Sequence, residues 1–428
     1  MKIAVIGAGI SGLSCAYRLA QASADVTLLE AGDYFGGHSN TVDVTLDGVS
    51  FGVDTGFLVF NDRTYPNLIA LFDELDVATA PSEMSFSVKL PLDGGGGLEW
   101  AGASLDSVFA QRANLLRPRF LRMLSDIVRF NREASALAQG GAMPDIALGA
   151  WLERQGYSAQ FRNWYLLPMA ACIWSCPSGQ MLAFPLSTFV RFCHNHGLLQ
   201  VSGRPQWRTV KGGSRNYVDK MLAAIPSCRL ASPVRSVLRG SGGARAVRIE
   251  TAAGFEHYDH VVMACHSDQA LALLGDARAD ERALLSAIRY QQNRAVLHTD
   301  ASCLPARRKA WSAWNYQSSN GAEPEVCVHY LLNMLQPLPC TTPVIVSLNP
   351  IDAPDPARVL ASFDYAHPVF DQAAVAAQAG IARIQGAQNT WFAGAWTGYG
   401  FHEDGLKSGL AAAASLTSLM AAHQHAAA

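Results

Sequence analysis

Residues 1–30 read MKIAVIGAGISGLSCAYRLAQASADVTLLE. An apolar run at residues 3–6 leads into a glycine-rich turn, a helical pattern as far as Ala22, and a second apolar run that ends at Glu30. This order predicts a strand, a tight turn, a helix and a second strand. The glycines of the turn are Gly7, Gly9 and Gly12. A GxGxxG spacing between a strand and a helix is typical of a dinucleotide-binding βαβ unit.

Each part of this motif suits a bound dinucleotide. Gly7 allows the tight turn, Gly9 lets a pyrophosphate approach the backbone, and Gly12 lets helix and strand pack closely. The free N–H groups at the helix start face the phosphates, and Glu30 can accept hydrogen bonds from the adenosine ribose hydroxyls. An ordinary glycine-rich turn is the alternative, but here strand, helix and acid all stand in register.

The composition is typical of a soluble enzyme with two domains. A chain of 428 residues, half of them hydrophobic and 16% charged, is too long for one compact core. The net charge of −2 gives no general attraction to nucleic acid. The nine cysteines form no CxxC pair and no zinc pattern, so we expect reduced thiols in a cytoplasmic protein and no metal site. Glycines interrupt the first apolar run, which disfavours a signal peptide, and no apolar run approaches about 20 residues.

The first motif alone does not distinguish NAD from FAD. A second glycine pair, Gly36-Gly37, follows six residues after Glu30 and indicates another backbone segment kept bare beside a ligand. Residues 390–411 read TWFAGAWTGYGFHEDGLKSGLA, a pattern that predicts a buried strand, a glycine loop and a helix of small residues. Gly405 stands where we expect that helix to begin, so backbone donors there can face an electron-rich ring edge.

Together these motifs resemble the FAD-dependent amine oxidase superfamily, which includes monoamine and polyamine oxidases, phytoene desaturases and protoporphyrinogen oxidases. The resemblance is strong at both ends of the chain and weak in the middle. It implies an α/β fold in which a Rossmann-like, GR2-type FAD-binding domain carries an inserted α+β substrate domain. The implied FAD-binding domain comprises residues 1–85, 205–275 and 385–428, and the substrate domain comprises residues 86–204 and 276–384. Because no cysteine follows Cys340, we expect the FAD to be bound non-covalently.

The resemblance also implies which residues contact FAD. They are Gly7, Gly9, Ser11, Gly12, Glu30, Gly36, Gly37, His38, Val234, Gly394, Asp404, Gly405 and Leu406. His38 stands where many family members have Arg. Ala395 lies where an acidic residue often meets the ribityl chain, a departure for which Glu403 or Asp404 can compensate.

The chemistry expected of the chain is oxidation of its own substrate. Flavoenzymes reduced by NAD(P)H commonly carry a second GxGxxG, which is missing here, so the substrate is expected to give its hydride to flavin N5. Amine oxidases resemble one another in an aromatic cage, with a Tyr three residues before the C-terminal glycine, and this chain has His402 there. A Lys that many members carry is also missing from residues 290–298. His402 is the candidate acid or base because imidazole titrates near neutrality; a histidine hydrogen-bonded in a buried turn is the alternative.

Two segments of the middle region bear on the substrate. The sequence of residues 112–132 predicts a basic amphipathic helix that begins at Pro118. Such a helix either lies on an anionic membrane surface or presents an ordinary solvated face. The aromatic residues between 151 and 192 indicate an apolar tunnel or an ordinary helical core. Residues 399–405 and 311–316 also resemble a bacterial amine-oxidase-like, NAD/FAD-binding branch associated with cyclopropane-fatty-acid-synthase-like methyltransferases. That resemblance implies a desaturase-like role on modified acyl chains.

Three functions follow as hypotheses. The first is an FAD-dependent oxidoreductase that takes a hydride from a small hydrophobic substrate or a lipid acyl chain, in a cytoplasmic protein peripheral to the inner face of the membrane. The second is an amine oxidase that produces an imine and hydrogen peroxide, which His402 in the cage position disfavours. The third is a flavoprotein with structural FAD that acts as a binding or membrane-associated module.

Overall fold

A computed structural model describes residues 1–92, 95–140, 143–174, 178–200, 203–240, 246–319 and 325–427. The predicted first unit is present as β1 (Lys2–Ile6), α1 (Ile10–Gln21) and β2 (Asp25–Leu29). The strands that follow are β3 (Thr41–Leu46), β4 (Val49–Asp54), β5 (Phe60–Asn61), β6 (Thr79–Pro81), β7 (Phe86–Pro91), β8 (Gly97–Ala101), β9 (Trp207–Val210), β10 (Ser227–Arg229), β11 (Ser236–Arg239), β12 (Val247–Thr251), β13 (Gly254–Tyr258), β14 (His260–Met263), β15 (Arg289–His298), β16 (Trp314–Ser318), β17 (Val326–Leu331), β18 (Ile345–Leu348), β19 (Val359–Val369) and β20 (Thr390–Phe392).

The helices after α1 are α2 (Pro66–Glu74), α3 (Leu105–Val108), α4 (Pro118–Gln139), α5 (Leu148–Arg154), α6 (Ala159–Phe161), α7 (Leu167–Trp174), α8 (Ser178–Leu182), α9 (Leu186–Asn195), α10 (Arg215–Leu222), α11 (Ser267–Leu273), α12 (Ala279–Ser286), α13 (Leu332–Leu335), α14 (Gln372–Gly380) and α15 (His402–Ala427). No helix in the described ranges is long and apolar enough to cross a membrane.

A five-stranded parallel sheet brings the two ends of the chain together. Its order is β10-β2-β1-β14-β20, and β1 pairs in parallel with both β2 and β14. The interior strands are apolar and buried, as is typical of a parallel sheet covered on both faces. Because ligands of open α/β sheets bind at the carboxyl ends of the strands, Gly7, Glu30 and Gly394 lie at the ligand-binding edge.

A second sheet of seven strands carries the middle of the chain, in the order β19-β15-β18-β17-β16-β7-β8. Strands β15 and β18 lie within residues 276–384 and helices α4–α9 lie within residues 86–204, the two segments that the resemblance assigns to the substrate domain. The aromatic residues of this region pack into a buried helical core. These two sheets support the predicted discontinuous division into an FAD-binding domain and a substrate domain, and we propose that division with the bounds given above.

One buried ion pair joins β11 to α12. Both side chains of the pair, Arg239 and Glu281, are fully buried. Two guanidinium nitrogens of Arg239 lie 2.7 and 2.9 Å from the two carboxylate oxygens of Glu281. Arg239 Nε also lies 2.9 Å from Asp276 Oδ1, so two carboxylates compensate the buried guanidinium.

Candidate FAD site

The glycine-rich turn leaves open space at the start of α1. A Cβ atom on Gly7 would lie 2.6 Å from the Ala264 carbonyl oxygen, and one on Gly12 would lie 1.8 Å from the Gly7 carbonyl oxygen. A Cβ on Gly9 would meet no heavy atom within 4 Å. Protein packing therefore requires Gly7 and Gly12, whereas Gly9 borders empty space. No side chain caps the helix at Gly9, so its first N–H groups can bind an anion.

The second glycine pair packs against the first motif. The Gly36 N–H donates to the Ala8 carbonyl over 2.9 Å, and Gly36 forms a β-bridge with Gly9. A Cβ on Gly37 would lie 3.2 Å from the Gly9 Cα. The structure thus brings the two glycine motifs into contact around one space.

Glu30 links this turn to the adjoining segments. Its Oε2 accepts the Ala8 N–H over 2.7 Å, and its Oε1 accepts the Gly32 N–H over 2.8 Å. Each oxygen keeps a lone pair for a ribose hydroxyl. Val234 lies close by, because the Ser232 N–H donates to the Glu30 carbonyl over 2.7 Å. Val234 precedes β11, which begins two residues later.

The C-terminal motif reaches the same edge of the sheet through close packing of α15 on α1. A Cβ on Gly405 would lie 2.9 Å from Ile10 Cγ2 and 3.0 Å from Ser11 Oγ. Leu406 is fully buried beside them, and the Gly394 N–H donates to Ser408 Oγ over 2.9 Å. The structure therefore brings Ser11, Gly394, Gly405 and Leu406 together, and their contact with FAD stays a prediction.

The start of α15 differs from our expectation. The helix begins at His402, three residues before Gly405, because the Asp404 carboxylate accepts the Phe401 N–H over 3.0 Å and closes the first turn. The Gly405 N–H already donates to the Phe401 carbonyl over 3.1 Å, so it is not free to face a flavin ring. Gly405 instead serves the site by being small.

The two acidic residues after His402 have different partners. Glu403 accepts the backbone N–H groups of Asn67 and Leu68 over 2.9 and 3.0 Å and thereby caps α2. It is thus engaged on a neighbouring helix, which leaves Asp404 as the candidate for the missing ribityl contact. Burial raises the pKa of Asp404 to about 6.

His402 is held by two aromatic side chains. Its Nε2 lies 2.8 Å from the Tyr217 hydroxyl, which also bonds Ser39, and its ring stacks on Phe57 with 3.8 Å between centroids. Burial lowers the pKa of His402 to about 3, so the imidazole is neutral at physiological pH. The titration near neutrality that we expected is not found in this environment.

His38 contacts two residues of β19 that sequence reasoning missed. Its Nε2 lies 3.2 Å from His367 Nε2, and its ring stacks on Tyr365 with 4.8 Å between centroids. Tyr365 in turn is hydrogen-bonded to Thr55 over 2.9 Å. These contacts join the second glycine motif to the seven-stranded sheet.

A profile of the family described as flavin containing amine oxidoreductase matches residues 10–298. The chain belongs to this family. A Mycobacterium tuberculosis protein named "Putative flavin-containing monoamine oxidase AofH" is 25% identical over 258 residues, which cover 57% of this chain and 52% of that protein. The chain thus matches about half the length of this curated relative.

Solved structures with similar folds include oxidases and an isomerase. A putrescine oxidase variant with redesigned cofactor binding has a TM-score of 0.66 at 16% identity, covering 97% of this chain and 99% of that one. A CLA-producing fatty acid isomerase from P. acnes has a TM-score of 0.65 at 16% identity, covering 95% and 96%. Membership of this family implies FAD as the cofactor, and the solved structures show that the fold is shared.

The residues present fit this cofactor. The space beside Gly9, which a Cβ on this residue would enter, has room for a diphosphate. The first backbone N–H groups of α1 supply hydrogen-bond donors to it. Glu30 retains acceptor capacity for a ribose. His38, which follows Gly37, and His402 carry imidazoles that burial keeps neutral.

A second buried histidine cluster lies on the seven-stranded sheet. His298, Cys303 and His329 place potential ligand atoms within 4.8 Å of one another. Ser347 Oγ lies 2.6 Å from one ring nitrogen of each histidine, and the other two ring nitrogens are bonded to a backbone N–H and to the Gln317 side chain. Since all four nitrogens have partners, neutral imidazoles satisfy this cluster by themselves.

Proposed function

We propose that this FAD-dependent oxidoreductase oxidises a hydrophobic substrate, with a lipid acyl chain as the substrate class. The observation that carries the proposal is the aromatic wall directly before His402. Phe401 stacks on Phe192 with 4.9 Å between centroids, and Tyr399 lies 6.0 Å from the same ring. Both are partly buried and pack against the aromatic core of α4–α9, so the segment directly before His402 has apolar surroundings.

The bound FAD supplies a hydride acceptor at N5. The contribution of the chain is to bind, to orient and to exclude water. In this proposal the neutral His402 imidazole acts as a hydrogen-bond partner at the substrate, and Phe57 and Tyr217 fix its ring. Its lowered pKa keeps the ring neutral at pH 7, which suits a hydrogen-bonding role and disfavours a role as general base.

Oxidation of an amine is the second candidate. It is favoured by the name of the curated relative and by the fold shared with putrescine oxidase, whereas the fold shared with a fatty acid isomerase favours the acyl substrate. His402 in place of an aromatic cage residue disfavours a simple amine oxidase.

Anaerobic reduction of the bound FAD separates these functions. The purified holoprotein is mixed with long-chain fatty acids, acyl lipids and long-chain amines, and the visible flavin absorbance is followed. Bleaching by the acyl compounds is expected. Bleaching by amines alone would establish the amine oxidase instead, and no bleaching by any compound would favour a structural FAD. His402→Ala should retain FAD and lose most of the reduction rate.

We also propose that residues 112–132 contact the inner face of an anionic membrane in a cytoplasmic protein. Large apolar side chains are exposed in and beside this segment, including Leu116, which is 88% exposed, and Val128, which is 68% exposed. Arg119, Arg122 and Arg132 are exposed beside them. None of the three forms a salt bridge within the described part of the chain. Exposed apolar groups among unpaired arginines complement an anionic lipid surface.

Vesicle co-sedimentation tests this contact. Wild-type protein should bind vesicles that contain phosphatidylglycerol and bind less at high salt, and Leu116→Asp/Val128→Asp should abolish binding. Leu360→Asp is the matched control, since Leu360 is an exposed leucine on β19, outside this segment. Equal binding by all three proteins, or binding that does not require anionic lipid, would overturn the proposal.

A further inference from the structure

We propose that an oriented chain of hydrogen bonds through Asn349, Asn293 and His367 fixes His38 as an N–H donor to the diphosphate of FAD. The inference rests on FAD occupying the space beside Gly9. It assigns three positioning residues from β15, β19 and the loop after β18, which lie far from the glycine motifs in sequence. Each link is oriented by the one before it, beginning at the backbone.

The first link is anchored by the backbone of β15. The Arg294 N–H donates to Asn349 over 2.9 Å, so the atom that accepts it must be the side-chain oxygen of Asn349. The amide nitrogen of Asn349 consequently faces Asn293, where it donates to Oδ1 over 2.7 Å. This contact fixes which side of the Asn293 amide is the oxygen.

The second link orients His367. The Asn293 amide nitrogen donates to the Gln291 carbonyl over 3.0 Å, which confirms the orientation of that amide, because a carbonyl can only accept. The same nitrogen lies 2.9 Å from His367 Nδ1. His367 Nδ1 is therefore an acceptor, and a neutral His367 carries its proton on Nε2.

The third link sets the tautomer of His38. His367 Nε2 donates to His38 Nε2 over 3.2 Å, so a neutral His38 carries its proton on Nδ1. Burial lowers the pKa of His367 to about 4. Burial, followed by the charges of His367, His266 and His402, also holds the pKa of His38 well below its usual range. Both rings are thus neutral at pH 7, as the tautomer assignment requires.

The Nδ1–H of His38 is the remaining donor of this chain of hydrogen bonds. Among the residues that the structure describes, the hydrogen bond found for the His38 side chain is the one between its Nε2 and His367. His38 follows Gly37 directly, and Gly37 packs against Gly9 at the open space. For a fixed N–H donor next to this space, a diphosphate oxygen is a suitable acceptor.

A double-mutant cycle on FAD affinity tests the chain. Asn293→Leu removes the amide that orients His367, so His38 can present an acceptor to the diphosphate, and the FAD dissociation constant should rise about tenfold to a hundredfold. His38→Arg donates whatever the state of His367, so Asn293→Leu should change FAD affinity little in that background. Equal weakening in both backgrounds would show a merely structural role for Asn293 and overturn the proposal.

The tautomer is measured independently of binding by ¹⁵N NMR of histidine-labelled holoprotein. We expect the proton of His38 on Nδ1 and the proton of His367 on Nε2. In Asn293→Leu the proton of His38 should no longer be confined to Nδ1. His38 protonated on Nε2 in the wild-type protein would refute the relay. The FAD affinities and the histidine tautomers can both be interpreted even if the proposed substrate oxidation is not observed, because neither measurement depends on turnover.

Discussion

Gly9 and Gly12 are two glycines of one motif for which the structure predicts opposite effects of the same methyl group. In Gly12→Ala the added Cβ would lie 1.8 Å from the Gly7 carbonyl oxygen, so the backbone must move. In Gly9→Ala it would meet no protein atom within 4 Å. The Gly9 backbone, with φ of −71° and ψ of 178°, is one that alanine adopts without strain.

The two variants should differ in whether they change the stability of the FAD-free protein or the binding of FAD. Without FAD, Gly9→Ala should stabilise the protein by about 0.4–1 kcal/mol by restricting the unfolded chain, whereas Gly12→Ala should cost about 1–3 kcal/mol or more. FAD at a hundred times its dissociation constant should stabilise the wild-type protein by about 2.7 kcal/mol. If the Gly9→Ala methyl weakens FAD binding a hundredfold, that gain falls to about 0.4 kcal/mol.

The assay is urea unfolding with and without FAD, followed by tryptophan fluorescence, for the three proteins. Gly9→Ala should keep or improve the midpoint of the FAD-free protein and lose the shift that FAD produces. Gly12→Ala should lower the midpoint in both conditions. A Gly9→Ala protein that retains the full FAD-dependent shift would refute the assignment of the space beside Gly9 to the diphosphate.

Three further predictions concern other parts of the chain. Glu281→Ala should cost about 1.5–3 kcal/mol in urea unfolding because it removes two hydrogen bonds from the buried Arg239 guanidinium and leaves Asp276 as its remaining acidic partner. Asp280→Ala, which breaks an exposed pair, should change stability by less than about 1 kcal/mol, and similar losses for the two variants would contradict the account. Glu403→Ala should destabilise the protein by about 1 kcal/mol through the lost cap of α2, and hydrogen exchange should rise at the start of α2 and not in β15. Burial lowers the pKa of His329 to about 3, so below about pH 6.5 the unfolded state binds a proton that the folded state does not, and the free energy of unfolding falls as the pH drops. His329→Gln should flatten that decline. Wild-type and variant profiles of unfolding free energy against pH that run in parallel would contradict this prediction.

The parts of the site that sequence predicted are those built from local patterns. The strand, glycine turn, helix and acid at residues 1–30 form one continuous unit, and the small-residue helix near Gly405 packs where close approach to Ser11 requires glycine. Each of these features depends on residues near one another in sequence.

The features that sequence did not predict depend on contacts between distant segments. The pairing of His38 with His367 follows from the register of β19, and the role of Glu403 follows from the position of α2. The neutral state of His402 follows from burial, which residue type does not reveal. In the same way the carboxylate of Asp404 moves the start of α15 from Gly405 to His402.

The most direct test of the central claim, that the substrate itself reduces the FAD, is anaerobic stopped-flow absorbance of the holoprotein. It is mixed in separate experiments with a long-chain acyl substrate, NADH and NADPH. The account predicts first-order loss of the visible flavin absorbance with the acyl substrate and none with either nicotinamide nucleotide. Rapid bleaching by NADH or NADPH, with none by the acyl substrate, would contradict it.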